Sequence, residues 1–511
     1  MKNLFITFSV ILLSISTLTN CGDADIFSMN EKTVHLKKGG DLSDALLLSD
    51  LNAITELTLT GVIDSRDFKT IRDRMPKLTE LDLTKVTISA YKGYEGTGGT
   101  SVYEYLQNTI PIYSFYNPTS TTSKTSLTKV TFPTSLKSVG VSAFAGCTGL
   151  TSITFPFTLS KIDDRAFARC SGMTGKLSIP ASVDTIGYSA FTYCTALSSL
   201  QLSDSLISIG ESAFNGCTGL KGSLNIPTKV KTINDRAFAS CKGFDQVDIP
   251  ASVETIGYYV FLDCGCPVYV STDNQNFMSS DGVLFDFSQM TLKYFPASKS
   301  GKYEIPSTVM IVENSAFSNC NALTSVVIPS SVMLIGDYAF QNCIGLTGTF
   351  NIPATLFSFG IFVFEGCSSI SAYNVEAGNP SYSSTDGVLF DNSQTILYQF
   401  PPARTRTYTI PSTVTNLSQG AFLGCANLTS VSIPATVNAI ADRVFMNCSG
   451  LTSIYEYATT PIPFSNDKKI TSWSVFDNVN KTNCILYVPT GTKTVYKIAN
   501  QWKDFTNILE M

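Results

Sequence analysis

The chain has 511 residues, of which 44% are apolar and only 15% are charged, so it can bury a large core and does not have the composition of a disordered protein. The formal net charge is −5, and the longest basic runs are the pairs Lys37-Lys38 and Lys468-Lys469. Binding to phosphate backbones needs a concentrated basic face, so this composition argues against nucleic acid as a partner.

The first twenty residues have the order of an export signal. Lys2 supplies a positive charge, and Leu4 to Leu18 form an apolar stretch that is too short to span a bilayer comfortably. We therefore predict a signal peptide over residues 1–20.

The segment that follows resembles a lipoprotein processing site. Leu18-Thr-Asn-Cys21 has the arrangement that a lipoprotein signal peptidase cleaves, which predicts lipidation of Cys21 and a tether over residues 21–31. Asp23 and Asp25 resemble the acidic signal for export to the outer face of a bacterial outer membrane. We expect a protein anchored by lipid at the cell surface. Ordinary secretion with an unmodified Cys21 is the alternative.

Residues 32–126 predict an N-terminal capping region with a loop. Ile54–Leu59 and Leu78–Leu83 alternate apolar and polar residues and lie 24 residues apart, as two stacked strands would. Between them, Asp64 or Ser65 can cap a helix that ends at Pro76. Residues 93–126 are rich in Gly, Ser, Thr and Tyr, which predicts a long surface loop, either a binding loop or a tolerated insertion.

Residues 127–454 repeat with a period of 23 or 24 residues, which is typical of stacked coils around a shared core. Each unit has an alternating strand that ends at a Pro, then an apolar-x-x-apolar-Gly run, then Ala-Phe, with Cys three residues after the Phe. Leu150–Phe155 is such a strand, Gly187 suits a turn with positive φ, and Ala190-Phe191 predicts a short helical or 3₁₀ turn. Removing 24-residue steps from register is assigned to extra residues at Gly175, Gly222 and Gly348. The repeated cysteines are Cys147, Cys170, Cys194, Cys217, Cys241, Cys264, Cys320, Cys343, Cys367, Cys425 and Cys448.

The cysteine column has two interpretations. Equivalent side chains on stacked coils point in parallel, which favours buried thiols over disulfides. Only Cys264 and Cys266, in a coil that breaks the pattern, suggest a local bridge or a reactive thiol.

Two interruptions of the period resemble each other. Asp281–Asp286 and Asp386–Asp391 share the sequence DGVLFD and lie 105 residues apart. Each predicts a hairpin that replaces part of a coil, with Asp-Gly as the turn rather than as a calcium loop.

Residues 455–511 predict a C-terminal cap. Trp473 and a terminal helix carrying Tyr496, Ile498, Trp502 and Phe505 would form an aromatic plug over the last coil. A carbohydrate-binding platform is the alternative.

The repeat pattern, L-x-x-[VI]-x-[IVF]-P, then V-x-x-I-G, then A-F-x-x-C, resembles the BspA-like leucine-rich repeat family of bacterial surface proteins. The resemblance implies a mostly β solenoid and a function in adhesion or in binding host or partner proteins at the cell surface. It implies no catalytic motif and fixes no ligand-contact residue.

No constellation for catalysis is evident in the sequence. His35 is the only histidine, and there is no C-x-x-C pair, phosphate-binding Gly loop or nucleophile elbow. We therefore predict a monomeric protein that is not an enzyme and needs neither a metal nor a cofactor.

The strand residues that face away from the core are small and uncharged, and they are the first candidate binding surface: Thr151, Ser152, Thr154, Ser198, Ser199 and Gln201. Such a face predicts weak contacts multiplied along the solenoid to a protein or another surface macromolecule. The alternatives are a glycan-binding accessory lipoprotein, which would use Tyr188, Tyr258, Tyr259 and Tyr338, and a structural scaffold of the cell envelope.

Overall fold

The computed structural model describes residues 30–464 and 474–511. The predicted signal peptide, Cys21, most of the tether and Trp473 lie outside the described residues. The chain forms a β-solenoid, which confirms the predicted leucine-rich repeat fold. Within the described ranges, no helix combines the length and the apolar character needed to cross a bilayer.

Each coil contributes a short strand to a parallel ladder. The ladder is interrupted at the two predicted hairpins, so it forms three sheets. The short strands are Thr109–Ile110, Ser138–Val139, Lys161–Ile162, Thr185–Ile186, Ser208–Ile209, Thr232–Ile233, Thr255–Ile256, Ile311–Val312, Leu334–Ile335, Ser358–Phe359, Asn416–Leu417 and Ala439–Ile440.

A second side of each coil carries a longer strand, which ends at or near the repeated Pro because Pro has no donor for the next ladder bond. The long strands are Lys129–Thr131, Gly175–Ser178, Leu197–Gln201, Gly222–Asn225, Phe244–Ile249, Val268–Val270, Gly301–Glu304, Leu323–Val327, Gly348–Ile352, Ile370–Val375, Arg406–Thr409, Leu428–Ile433, Ser453–Glu456, Ile485–Val488 and Asn507–Glu510. The predicted strand at 150–155 is wrong, since only an isolated bridge from Ser152 to Lys129 forms there.

The extra residues of the 24-residue coils are absorbed as predicted. Gly175, Gly222 and Gly348 have φ of 74°, 81° and 74°, and the pairing register shifts by one residue directly after each. These are β-bulges, which accept one more residue without turning the following side chains to the wrong face.

The third side, which we call the turn edge, consists of consecutive turns and not of the predicted helical or 3₁₀ turn. In one coil, Ser189 and Tyr193 have φ of 51° and 56°. This alternation directs the backbone N–H groups of Ser189, Phe191 and Tyr193 to carbonyls of the next coil, at 2.8, 2.8 and 2.7 Å. Gly187 does not have positive φ. It is glycine because a Cβ there would lie 2.7 Å from the backbone of the preceding coil.

The N-terminal cap has the predicted alternation of strands and a helix. Its parallel strands are Glu31–Leu36, Glu56–Ile63 and Glu80–Ile88, and its helices are Leu42–Ala45, Leu48–Ala53 and Ser65–Arg74. Asp64 is the N-cap of the last helix and forms a capping box with Asp67.

Residues 93–126 are more structured than a loop. Tyr91–Gly93 pairs with Tyr103–Tyr105, and Tyr116–Asn117 pairs with Thr122–Ser123, both antiparallel. Between these hairpins, Thr109–Ile110 is already a short strand paired with Ser138–Val139. The solenoid therefore begins inside the segment that we predicted as a loop.

Both predicted hairpins form. Their strands are Phe277–Ser280, Val283–Asp286 and Thr291–Tyr294 in the first, and Tyr382–Thr385, Val388–Asp391 and Ile396–Gln399 in the second. A buried asparagine ties each to the preceding coil: the Asn379 side-chain amide donates to the carbonyls of Pro353 and Leu356 at 2.9 and 2.8 Å, and its oxygen accepts two backbone N–H groups. Asn274 has the same role in the first hairpin.

Phenylalanine rings stack along the core, one per coil. The rings form three stacks, with centroids of successive rings 4.7 to 6.3 Å apart. The members are Phe115, Phe144, Phe167, Phe191, Phe214, Phe238 and Phe261, then Phe295, Phe317, Phe340 and Phe364, then Phe400, Phe422, Phe445 and Phe476. The buried apolar residues likewise form three clusters that change at the hairpins.

The cysteines of the described chain are free and buried, as the thiol interpretation predicts, and this includes Cys264 and Cys266. In the regular coils, each thiol donates to the carbonyl of the preceding coil's Phe. Cys170 reaches the Phe144 carbonyl at 3.0 Å and Cys241 reaches the Phe214 carbonyl at 3.1 Å. Burial raises the pKa of Cys217 to about 12, so these thiols are protonated and unreactive.

The C-terminus is a buried cap and not a carbohydrate platform. Trp502 is fully buried and donates through Nε1 to the Ile462 carbonyl at 3.1 Å. The predicted terminal helix is instead a single turn at Lys493–Tyr496 and a 3₁₀ turn at Trp502–Asp504, followed by the last strand. Ile498 lies outside the plug, with 78% of its surface exposed.

Candidate functional site

A groove of about 900 Å³ runs along the turn edge of the first coils. It is lined by Tyr113, Tyr116, Pro118, Thr121, Ser123, Ser142, Ala145, Gly146, Thr148, Arg165, Ala168, Arg169, Tyr188, Ser189, Thr192, Tyr193, Ser212 and Asn215. These residues come from five successive coils. We call this the Arg–Tyr groove after its largest side chains.

The repeat places these side chains in two columns. One residue directly before each Ala-Phe and one directly before each Cys has positive φ, and both project from the turn edge. Most coils put Ser, Gly or Asn at these positions, whereas this part of the chain has Arg165, Arg169 and Tyr193, with φ of 54°, 60° and 56°. A bulky side chain in this conformation costs about 1 kcal/mol or more. The fold needs the conformation, but it does not need these residues.

Each arginine stacks on a tyrosine of the next coil. The Arg165 guanidinium lies 4.8 Å from the centroid of the Tyr188 ring, and that of Arg169 lies 5.9 Å from the Tyr193 ring. Such cation–π contacts fix the guanidinium planes and leave their N–H edges available. Arg236 and Tyr259 form the same stack three coils further along, at 5.1 Å, outside the groove.

The N-terminal cap holds the end wall of the groove in place. Arg72, on the cap helix, donates to the carbonyls of Thr97 and Tyr113 at 2.8 and 2.9 Å. Lys124 is buried, and its ammonium bonds to the Met75 carbonyl at the end of that helix. Burial lowers the pKa of Lys124 to about 8. These contacts fix the hairpin that carries Tyr116 against the coils.

The residues predicted from the sequence fall on two different sides of the solenoid. The strand-face group (Thr151, Ser152, Thr154, Ser198, Ser199 and Gln201) lies on the long-strand side, and all but the half-buried Ser199 are exposed. The Thr151 hydroxyl donates to the Thr128 carbonyl of the preceding coil at 3.1 Å, so it serves the stacking of coils.

The tyrosine group lies on the turn edge and is not one cluster. Tyr188 lines the groove, whereas Tyr258 is exposed beside Tyr259, outside it. Tyr338 is half-buried and stacks on Phe362 at 5.5 Å, so its ring packs within the solenoid.

The sequence reasoning missed Arg165, Arg169 and Tyr193. The signal was present: aligning the coils on Ala-Phe and on Cys shows bulky residues at two positions that elsewhere are mostly small. Tyr113 and Tyr116 carried no such signal, because they precede the regular repeats.

The comparisons with known proteins concern the repeat. A protein-family model described as a BspA type leucine rich repeat region matches residues 108–222, 174–281, 221–298, 288–402 and 397–487. Comparison with curated proteins finds none that matches the sequence.

Several solved structures resemble the chain. A leucine-rich cell-surface protein of Faecalibacterium prausnitzii is 27% identical, with 73% of this chain and 87% of that chain covered and a TM-score of 0.47. A leucine-rich repeat protein of Bacteroides ovatus is 20% identical, with 85% and 84% covered and a TM-score of 0.37. The pneumococcal vaccine antigen PcpA is 19% identical, with 85% and 89% covered and a TM-score of 0.39. Since the repeat matches together span well over half of the sequence, the chain belongs to the BspA type leucine-rich repeat family of bacterial cell-surface proteins.

Proposed function

We propose that the protein is a lipid-anchored surface protein that binds partner proteins through the Arg–Tyr groove. The observation that carries this proposal is the composition of the groove: Tyr and Arg are the side chains that dominate binding energy at protein interfaces, and here they converge in one concave site. The family's role at the cell surface supports binding over catalysis. The strand face, with its small uncharged residues, offers few such anchors.

The binding test compares the two surfaces. The protein, purified in detergent, is assayed by biolayer interferometry against a panel of matrix and cell-surface proteins. The double variant Arg165→Gln with Arg169→Gln should lose most of the binding, and Arg236→Gln, which removes the equivalent stack outside the groove, should retain it. If Ser152→Glu with Gln201→Glu abolishes binding while the groove variant does not, the strand face is the binding surface and the proposal is wrong.

The proposed anchor is a diacylated Cys21 that becomes the N-terminus after removal of residues 1–20, which places the protein on the outer membrane. Many anchored copies would multiply a modest affinity of each monomer. Metabolic labelling with a fatty acid should label the wild type and not Cys21→Ala. A wild type that stays unlabelled and partitions into the aqueous phase of a detergent extraction would contradict the anchor and leave the binding site untouched.

A further inference from the structure

We infer that the Arg–Tyr groove selects an extended, acidic segment of a partner protein. This rests on the proposed function and adds the chemistry of the ligand to it. The steps are the charge of the groove, the orientation of its aromatic rings and its length.

The groove is positive on an acidic protein. The chain has a formal net charge of −5, yet the charged residues that line the groove are Arg165 and Arg169 alone. Neither guanidinium has a carboxylate partner within the described part of the chain, whereas Arg66, Arg72 and Arg404 each pair with an aspartate. The groove therefore presents two unneutralised cations, and a ligand carboxylate would find its charge complement there.

The nearest carboxylate outside the lining is already occupied. Asp164, next to Arg165 in sequence, accepts the backbone N–H of Tyr188 at 2.8 Å through Oδ1. That bond fixes the carboxylate to the backbone of the following coil. The two arginines remain available to an incoming anion.

The tyrosine rings are not open platforms for sugars. One face of the Tyr188 ring carries the Arg165 guanidinium. The Tyr193 ring lies between the Arg169 guanidinium and the backbone of Gly216, where an added Cβ would come within 2.4 Å of the ring. Sugar binding by stacking needs exposed ring faces, whereas these rings orient the guanidiniums. A planar guanidinium held in this way matches a carboxylate with two parallel hydrogen bonds.

The length of the groove fits a short stretch of extended chain. From Tyr113 to Ser212 it crosses five coils, or four inter-strand spacings, which is about 19 Å. An extended peptide covers that distance with about six residues. The hydroxyl and amide groups that line the walls, such as Thr148, Ser189 and Asn215, can bond to the peptide backbone.

The test uses a fluorescein-labelled decaglutamate peptide and the full-length protein in detergent, followed by fluorescence anisotropy. The wild type should bind decaglutamate more tightly than a Gly-Ser decapeptide, and rising NaCl should weaken binding because the contacts are ionic. Arg165→Gln with Arg169→Gln should lower the affinity at least about tenfold, the size expected for losing two charge-assisted pairs. Arg236→Gln should bind as the wild type does. Arg165→Lys with Arg169→Lys keeps the charges and loses the planar geometry, so its affinity should lie between the two.

The outcomes separate this inference from the proposed function. If decaglutamate binds no better than the neutral peptide, while the groove variants still lose binding to partner proteins, the ligand chemistry is wrong and the site stands. If hyaluronate, an acidic glycan, binds more tightly than decaglutamate and in an Arg165-dependent manner, the ligand is a glycan and the inference is overturned. Equal binding by the wild type and the folded Gln variant would also overturn it.

Discussion

Replacing Glu456 by glutamine should stabilise the C-terminal cap at neutral pH and remove a pH dependence from it. Glu456 ends a long strand and is fully buried. Its Oε1 accepts the backbone N–H of Ala458 at 3.0 Å, and its Oε2 has no hydrogen-bond partner within the described chain. Burial raises its pKa from 4.5 to about 8, so the folded protein keeps a proton that the unfolded chain loses.

The sign and size follow from this difference in pKa. Below pH 4.5 both states hold the proton, and the group adds no pH dependence. Between pH 4.5 and about 8, the folded state must retain the proton against its release from the unfolded state, so stability falls as pH rises. At 1.36 kcal/mol per pKa unit, the full penalty is on the order of 5 kcal/mol. Above pH 8 it no longer grows.

The assay is urea unfolding followed by tryptophan fluorescence, because both tryptophans belong to the C-terminal region and Trp502 is buried there. The stability gain of Glu456→Gln over the wild type should be small near pH 4.5 and several kcal/mol, on the scale above, near pH 8. Glu211→Gln, which removes an exposed carboxylate, is the matched control and should show no comparable rise. The same gain at both ends of the pH range would refute the reasoning.

Three further changes test the packing of the solenoid. Phe214→Ala should cost about 3 to 5 kcal/mol, because the ring is fully buried between stacked rings at 5.5 and 5.4 Å. Hydrogen exchange should show the loss within the first stack, and uniform loss along the chain would contradict independent stacks. Asn379→Ala leaves two carbonyls and two N–H groups without their partner and should cost on the order of 3 kcal/mol, with Asn379→Asp recovering part of it by denaturant unfolding. Arg406 has φ of 88° at the bulge position where Gly301 has 82°, so Arg406→Gly should raise the melting temperature by relieving about 1 kcal/mol of strain, and a lowered one would contradict this.

The period carried most of what the sequence could predict. A Phe and a Cys at fixed intervals can be buried only by stacking, so the solenoid, the thiol ladder and the bulge at Gly175 followed from spacing alone. The hairpins followed from their Asp-Gly turns, where Asp281 and Gly282 have φ of 50° and 78°.

The turn edge could not be predicted in the same way. Its alternating φ is imposed by hydrogen bonds to the next coil, and no single residue type encodes it. The Arg–Tyr groove was missed for a related reason, since Tyr113 and Tyr193 are 80 residues apart in sequence and meet only after five coils have stacked. Asn274 was missed because a buried polar side chain with all its bonds satisfied has no compositional signature.

The division of the core into three stacks also bears on how the gene can change in length. The two hairpins repeat at an interval of 105 residues, with Asn274 and Asn379, and Phe295 and Phe400, at equivalent places. An in-frame deletion between these equivalent points would join the first stack to the second hairpin through a junction of the same design. Recombination between the two copies would thus shorten or lengthen the solenoid by a whole unit, leaving both caps and the Arg–Tyr groove unaltered.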